Sequence, residues 1–329
     1  MAEIQTTSNT AVAEKGVVIV GDLVADQFLN GTISRVSREA PVFILRHDHT
    51  ATLPGAAANA AANVFSLGGK PILIGLAGRD ANGEILLNKL DKIGVDTANV
   101  VSDSSLSTTT KVRVLAGQHY AARQQVIRID YENSGAVSGA LKDRLRENLI
   151  SAGAKADAII ISDYNCGTVS SEIYETASAI STERKIPLIV DSRYRLSDFP
   201  NASTATPNRE EVEKIVGENF SVEDCARLRE RLGYEALLVT NGNEGMLLVE
   251  KDKSPENIGA VGAKEPVDVT GAGDTVIAAY ALGLASGLSY ADAARIANHA
   301  GGIVVMKKGT ATVNSRELCD SLISNADLP

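Results

Sequence analysis

Gly16-Val-Val-Ile-Val-Gly21 is a short apolar run closed by glycine, and the chain carries four further short apolar runs, each closed by a small or polar residue. They are Pro71-Ile-Leu-Ile-Gly75, Ala158-Ile-Ile-Ile-Ser162, Pro187-Leu-Ile-Val-Asp191 and Ala236-Leu-Leu-Val-Thr240. Strands covered on both faces read as continuous apolar runs of this kind. Helical patterns lie between them, at 56–67, 83–93, 138–152, 171–182 and 221–232. Strands alternating with helices predict an α/β fold built on a doubly wound, mostly parallel sheet flanked by helices. Such sheets bind ligands at the carboxyl ends of their strands. Asp22, Asp26, Asp163, Asp191 and Asn241 follow those ends and become candidates for chemistry.

Two segments, 26–53 and 106–131, break the alternation and read as extended chain without a helix between. In Thr110-Lys-Val-Arg-Val114, Lys111 and Arg113 share one face while Val112 and Val114 take the other. In Gln125-Val-Ile-Arg-Ile-Asp130, Arg128 and Asp130 lie opposite Ile127 and Ile129. A small separate sheet is expected, with one polar, basic face and one apolar face. It would serve as a β lid over a site or as a dimer clasp; a merely solvated polar face is the plain alternative. Residues 1–15 are polar and rich in Ser and Thr, the composition of a disordered tail, which leaves 16–329 as a single domain.

Composition excludes several partners. A net charge of -9, 4% aromatic residues and no tryptophan leave little with which to hold nucleic acid or an anionic membrane. Positive charge for a phosphate substrate must therefore be local. Cys166, Cys225 and Cys319 are scattered, with no metal-ligand spacing, as expected of free thiols in a reducing cytoplasm. The first residues lack the apolar stretch of a signal peptide, and no run is long enough to span a bilayer, so a cytoplasmic protein without a membrane anchor is expected.

The densest motif is Asp268-Val-Thr-Gly-Ala-Gly-Asp274, followed by a small-residue apolar run, Thr275-Val-Ile-Ala-Ala-Tyr-Ala-Leu-Gly-Leu-Ala285, that reads as a buried helix. Gly271 and Gly273 permit a tight turn whose N–H groups converge at a helix N-terminus, where negative charge is favoured. Asp274 could then accept a proton from a hydroxyl while the amides of Gly271, Ala272 and Gly273 hold the phosphoryl group under attack. A helix-capping aspartate after a glycine loop is the structural alternative.

Weaker motifs accompany it. Pro54-Gly-Ala-Ala-Ala-Asn59 opens the first helix. Gly55 and the alanines would admit a ligand closely, and Asn59 would offer donor and acceptor to a hydroxyl. Asn208 and Glu211 stand at capping-box spacing, or else organise water around a magnesium ion. Thr240-Asn-Gly-Asn-Glu-Gly245 is a hairpin turn or a nucleotide-phosphate contact made by Thr240, Gly242 and Gly245. Neither the dinucleotide fingerprint nor the Walker A pattern is present.

In their order and spacing these motifs resemble the ribokinase-like (PfkB) family of carbohydrate kinases, over essentially everything after residue 15. The carriers are Gly21-Asp-Leu-Val-Ala-Asp26, Pro54-Gly-Ala-Ala-Ala-Asn59, the Asn208 and Glu211 pair, Thr240-Asn-Gly242 and Asp268-Val-Thr-Gly-Ala-Gly-Asp274. The resemblance implies ATP and Mg²⁺ as cofactors, leaves a monovalent cation open, and implies a homodimer through the β lid. It makes Asp274 the base and Gly271 to Gly273 the anion hole. Asp26 and Asn59 would hold sugar hydroxyls, Asn208 and Glu211 would order Mg²⁺ through water, Thr240 and Gly242 would line the phosphate side, and Asn298 would lie near the adenine.

Within the family the similarity is greatest to the heptose 7-phosphate kinases of ADP-heptose synthesis. It is carried by Ser34-Arg-Val-Ser-Arg-Glu-Ala-Pro-Val42, Thr110-Lys-Val-Arg-Val-Leu115, Gln124-Gln-Val-Ile-Arg-Ile-Asp130 and Lys308-Gly-Thr-Ala-Thr-Val313. An anionic sugar fits Lys111, Arg113 and Arg128, with Asp163 beside them. This chain reads Asp163-Tyr-Asn-Cys-Gly167 where those kinases read Asp-Tyr-x-Lys-Gly, and Asp191-Ser-Arg-Tyr-Arg195 where they read Asp-Pro-Lys. Arg193 and Arg195 would restore the charge. At 329 residues, the chain is expected to carry no fused nucleotidyltransferase domain. A kinase for another sugar or a nucleoside, and a non-catalytic binder on the same fold, are the alternatives.

Overall fold

The computed structural model describes residues 14–118, 123–132, 137–262 and 265–326. Residues 1–13 of the expected tail lie outside the described residues; Lys15 already joins the fold, its carbonyl accepting from the Lys70 N–H at 2.8 Å. The chain begins with β1 (Gly16–Gly21), β2 (Leu23–Val36), β3 (Phe43–Ala56), α1 (Ala57–Ser66), β4 (Lys70–Gly78), α2 (Ala81–Ile93) and β5 (Val100–Asp103). It continues through β6 (Thr110–Gly117), β7 (Gln124–Tyr131), α3 (Gly139–Gly153), β8 (Ala158–Asp163), α4 (Ser171–Arg184), β9 (Leu188–Ser192) and β10 (Thr204–Ala205). Next come α5 (Arg209–Val216), α6 (Val222–Leu232), β11 (Ala236–Thr240), β12 (Met246–Glu250) and β13 (Glu256–Ile258). Three helices close the fold: α7 (Ala272–Ala285), α8 (Tyr290–Val304) and α9 (Ser315–Ala326).

Nine strands form the main sheet in the order β13-β12-β11-β10-β9-β8-β1-β4-β5. Pairing is parallel except where β12 meets β11 and β13. The five apolar runs are β1, β4, β8, β9 and β11, as the sequence pattern predicts. Alternation along β1 feeds two cores: Val17 and Ile19 pack with α1, α7 and α8, whereas Val18 and Val20 pack with α3 and α4. β1 lies between β8 and β4, so the strand order reverses there. A crevice at the carboxyl end of β1 follows from that reversal, and Asp22 stands at its floor.

The second sheet has four strands in the order β3-β2-β6-β7. β2 starts inside the core at Leu23 and Asp26 and runs outward to exposed Val36, so the sheet projects from the main body. Register sets Asp26 beside Lys111 and Arg113 beside Arg128. The expected apolar face is divided. Val112 and Val114 on β6 are buried, while Ile127 and Ile129 on the edge strand β7 remain 55% and 41% exposed. Ile129 and Ile127 pair with Val112 and Val114 across the same face, so burial fades from the inner strand to the edge strand, and alternation alone does not reveal which strand is the edge. Among the described residues no helix is long and apolar enough to cross a membrane.

Candidate active site

The Asp268–Asp274 turn is tied down by its own first residue. Asp268 accepts from the Thr270 N–H at 3.0 Å and from the Gly309 N–H at 2.9 Å. Gly271 is left-handed, with φ 78°, and a Cβ there would sit 2.5 Å from Asn59 Nδ2. That single conformation ends the loop and starts α7 at Ala272, three residues before the helical run expected from Thr275. Asp274 is therefore inside the first helical turn. The Thr275 N–H reaches the Gly271 carbonyl and the Ala272 N–H the Val269 carbonyl, both at 3.2 Å. The N–H groups of Gly273 and Asp274 precede any intrahelical acceptor and add to the positive end of the helix dipole.

Asp274 is 3% exposed. Its Oδ2 accepts from Asn59 Nδ2 at 2.8 Å and its Oδ1 from the Tyr164 hydroxyl at 3.0 Å. Burial pushes the carboxyl up to about 7, against the two hydrogen bonds; the charge of Asp26 adds to the rise and Lys111 opposes it. A carboxylate poised there suits proton abstraction near neutral pH. Asn59 is itself oriented: Asn63 Nδ2 donates to Asn59 Oδ1 at 3.2 Å, leaving the Asn59 amide nitrogen to face Asp274.

Around Asp274 the structure gathers Asp26, Gly55, Asn59, Lys111 and Arg113. Asp26 is 5% exposed and pairs with Arg113. Burial raises its carboxyl, with Arg113 the main opposing influence. Gly55 is obligatory here, since a Cβ would come within 2.4 Å of Asp26 Oδ2. Lys111 Nζ lies 5.2 Å from the centre of the Tyr164 ring. Arg128 is spent on its strand neighbour Asp130, through bonds of 2.9 and 3.0 Å.

Asp163 departs from expectation. Its carboxylate is wholly buried and taken up by Arg195 and by Ser192 Oγ at 2.7 Å, so it braces β8 against β9 rather than facing a substrate. Arg195 also donates to the Val169 carbonyl at 2.9 Å and is a structural cation. Arg193 remains exposed and lies close enough to lower the carboxyls of Asp191 and Glu211.

Two cavities flank the turn. One, of about 190 Å³, is mostly apolar, with Met246, Val261, Val276 and Val305 in its wall beside Thr240, Gly242, Gly245, Asn298 and Gly273. Asn298 donates to the Gly259 carbonyl at 2.7 Å and so holds that wall in place. Gly245 has φ 92°, and a Cβ would meet the Ile258 carbonyl oxygen at 2.0 Å. The second cavity, of about 700 Å³, lies between the small sheet and the turn, with Phe28, Leu53, Arg113, Arg123 and Lys308 facing Asp268 and Thr270.

Asn208 and Glu211 form a reciprocal capping box at the start of α5, both bonds 2.9 Å. Asn208 is bridged to Thr240, which brings both to one place. Glu211 and Asp191 are each raised by burial; Glu211 and Asp274 raise Asp191 further, and Arg193 lowers both. Crowded carboxylates of this kind fit a hydrated divalent ion. Among the described residues no group of three or more His, Cys, Asp or Glu is arranged to ligate one directly.

A match to the pfkB family of carbohydrate kinases spans residues 15–317. The chain belongs to that family. Its members are phosphotransferases that act on an alcohol group of a carbohydrate. Curated relatives of this pfkB chain include two proteins named bifunctional protein HldE. The one from Magnetococcus marinus is 35% identical over 326 residues, 96% of this chain and 66% of the relative. The one from Geobacter metallireducens is 37% identical over 313 residues, 93% of this chain and 62% of the relative. The chain thus spans roughly two thirds of the length of these relatives. Solved structures share the fold. Escherichia coli phosphofructokinase-2 in complex with potassium aligns with a TM-score of 0.77 at 20% identity, over 95% of this chain and 99% of that one. Arabidopsis thaliana ribokinase complexed with ribose and ATP aligns at 0.72 and 22%, over 94% and 99%.

Sequence reasoning underrates three residues of this pfkB site. Tyr164, Asp22 and Asp191 stand in the sequence inside strand-end motifs that assign them no contact with Asp274. The available signal is position: all three stand at or just beyond the carboxyl ends of parallel strands.

Proposed function

We propose that this pfkB kinase transfers the γ-phosphoryl of ATP to the anomeric hydroxyl of a heptose 7-phosphate, with Asp274 as the base. What supports the reading is the place of Asp274: buried on the turn between an apolar cavity and a basic one, with one donor on each carboxylate oxygen. ATP would lay its adenine in the apolar cavity, beside Asn298 and the Gly245 turn, with its phosphates along Thr240 and Gly242 and toward Arg193. Asp26 and Asn59 would orient the sugar, and Lys111, Arg113 and Arg128 would face its anionic end. Asp274 takes the acceptor proton as the oxygen attacks, and the N–H groups from Gly271 to Gly273 stabilise the charge on the moving phosphoryl group. Closure of the small sheet, acting as a lid, would exclude water and spare ATP from hydrolysis.

Asn208 and Glu211, with Asp191 alongside, would hold Mg²⁺ through water; the ion supplies charge neutralisation at the β- and γ-phosphates. A monovalent cation is a further component of the reading. The polar atom that fits it is Thr310 Oγ1, buried without a hydrogen-bond partner, its residue packed against Gly271. Phe43, Ile127 and Tyr131, each more than half exposed on the small sheet, fit a homodimer through that sheet; sedimentation of Ile127→Glu would then show a monomer.

A second reading has its own support. Arg113 is neutralised by Asp26 and Arg128 by Asp130, which suits an uncharged sugar or nucleoside as acceptor. An ADP-release screen over heptose 7-phosphate, other sugar phosphates, free sugars and nucleosides separates the two. Turnover confined to phosphorylated sugars supports the first reading, and turnover confined to neutral acceptors overturns it. Nucleotide binding without turnover on any acceptor would mark a non-catalytic binder.

A further inference from the structure

Asp22 and Tyr164 have no part in the transfer described above, yet the fold spends a buried carboxylate on placing one phenol. Asp22 is wholly buried at the carboxyl end of β1. Its Oδ2 accepts from the N–H groups of Tyr164 at 2.8 Å and Cys166 at 3.0 Å, and its Oδ1 from that of Thr168 at 3.0 Å. Three charge-assisted bonds fix a loop that would otherwise be free to move. Asn165 takes a left-handed conformation, φ 61°, that folds the loop back on itself. The result is a rigid arm that carries the Tyr164 hydroxyl to Asp274 Oδ1, 110 residues away in sequence.

We propose that Tyr164 is a positioning residue for the base: anchored by Asp22, its hydroxyl clamps Oδ1 of Asp274 while Asn59 clamps Oδ2, so that the carboxylate plane is fixed toward the acceptor hydroxyl. Each carboxylate oxygen has a second lone pair, which the clamp leaves for the incoming proton. Burial and the charge of Asp274 hold the phenol well above its ordinary range, so Tyr164 stays protonated and donates throughout. Donation to the charged form of a carboxyl favours ionisation, so Tyr164 also keeps the base active at lower pH. The charged and titratable groups facing Asp274 are Asp26 from β2, Lys111 from β6, Asp191 from β9 and Tyr164 itself. Lys111 rides on the Tyr164 ring, so the arm also steadies the one cation in that set.

This inference rests on the reading of Asp274 as base, and the test separates the two. Tyr164→Phe keeps the ring, the Lys111 contact and the Asp22 anchor while removing one hydroxyl. With ATP and heptose 7-phosphate, or the best acceptor from the ADP-release screen, the acidic limb of kcat is expected to move up by about one pH unit. Activity at pH 7 should fall roughly tenfold and recover to within about threefold of wild type by pH 9, with KM for ATP unchanged. A readout that needs no acceptor is the titration of Asp274 by ¹³C resonance in protein labelled at aspartate Cγ, assigned by its loss in Asp274→Asn; the midpoint should rise in Tyr164→Phe. A uniform loss with an unmoved limb and midpoint, or no loss at all, would overturn the positioning role. Full activity in Asp274→Asn would instead overturn the base assignment beneath it.

Discussion

The Asp274 pocket and the small sheet are built on opposite plans. Around Asp274 the polar groups that touch the carboxylate are each held by a further side chain: Asn59 on α1 by Asn63 one turn on, Tyr164 in the β8 loop by Asp22, and the turn itself by Asp268. On the small sheet, charges pair with neighbours on the same sheet, Arg113 with Asp26 and Arg128 with Asp130, and the outer strand is exposed along its whole length. The difference separates two tasks. On the proposed reading, the groups that would perform chemistry are the over-determined ones, since a displacement of about 1 Å costs on the order of a hundredfold in rate. The groups that would recognise the acceptor can exchange an internal partner for a ligand, so their pairing without substrate does not fix what they bind.

Substitutions can break that division. The largest effect is expected for Asp274→Asn: kcat should drop on the order of a thousandfold or more while nucleotide binding is kept, measured by ADP release and by calorimetry. Its stability should move the other way. The native carboxyl titrates at about 7, above its ordinary value of 3.8. The native state therefore binds more protons between those values, and stability falls as pH rises through that window. Asp274→Asn removes this cost, so at pH 8 it should melt no lower than wild type. A lower melting temperature would mean that the carboxylate is structural.

Gly271→Ala comes next. A left-handed alanine costs roughly 1–2 kcal/mol, and its Cβ pushes on Asn59. We expect a roughly tenfold to hundredfold fall in kcat with little change in KM for ATP. Wild-type kinetics would show that the turn geometry is not needed.

The small sheet should respond in KM rather than kcat. Lys111→Glu should raise KM for a phosphorylated acceptor about tenfold or more and leave KM for a neutral acceptor nearly unaffected. Arg113→Glu should harm both, because it also strips Asp26 of its partner. Equal damage with both acceptors from Lys111→Glu would break the distinction between chemistry and recognition. The smallest effect is expected from Gly302→Ala, whose Cβ would meet the Val261 carbonyl oxygen at 2.2 Å in the apolar cavity wall. KM for ATP should rise a few-fold, roughly threefold to tenfold, with kcat unchanged.

The same two plans explain what the sequence reveals. β1, β4, β8, β9 and β11 are legible because burial on both faces leaves a uniform apolar run. The Asp268–Asp274 turn is legible because left-handed backbone and close approach demand glycine at fixed spacing. Asp163 misleads because its partners, Ser192 at the end of β9 and Arg195 in the connection after it, are about thirty residues away, and pairing across a sheet leaves no local pattern. Tyr164 is hidden for a related reason: its reach to Asp274 depends on the loop that Asp22 folds, 142 residues earlier in the chain. The burial of Val112 beside the exposure of Ile127 depends on which strand is the edge, and that follows from strand order rather than from alternation.

The dependence of kcat/KM for the acceptor on pH tests the assignment of Asp274 most directly. Wild-type kcat/KM should fall below about pH 7 with the slope of a single proton, because burial holds the Asp274 carboxyl at about 7, and the residual activity of Asp274→Asn should lack that limb. A wild-type profile that stays flat from roughly pH 5.5 to 8.5, where a base of this pKa must change charge, or a limb that survives in Asp274→Asn, would contradict the assignment of Asp274 as the base.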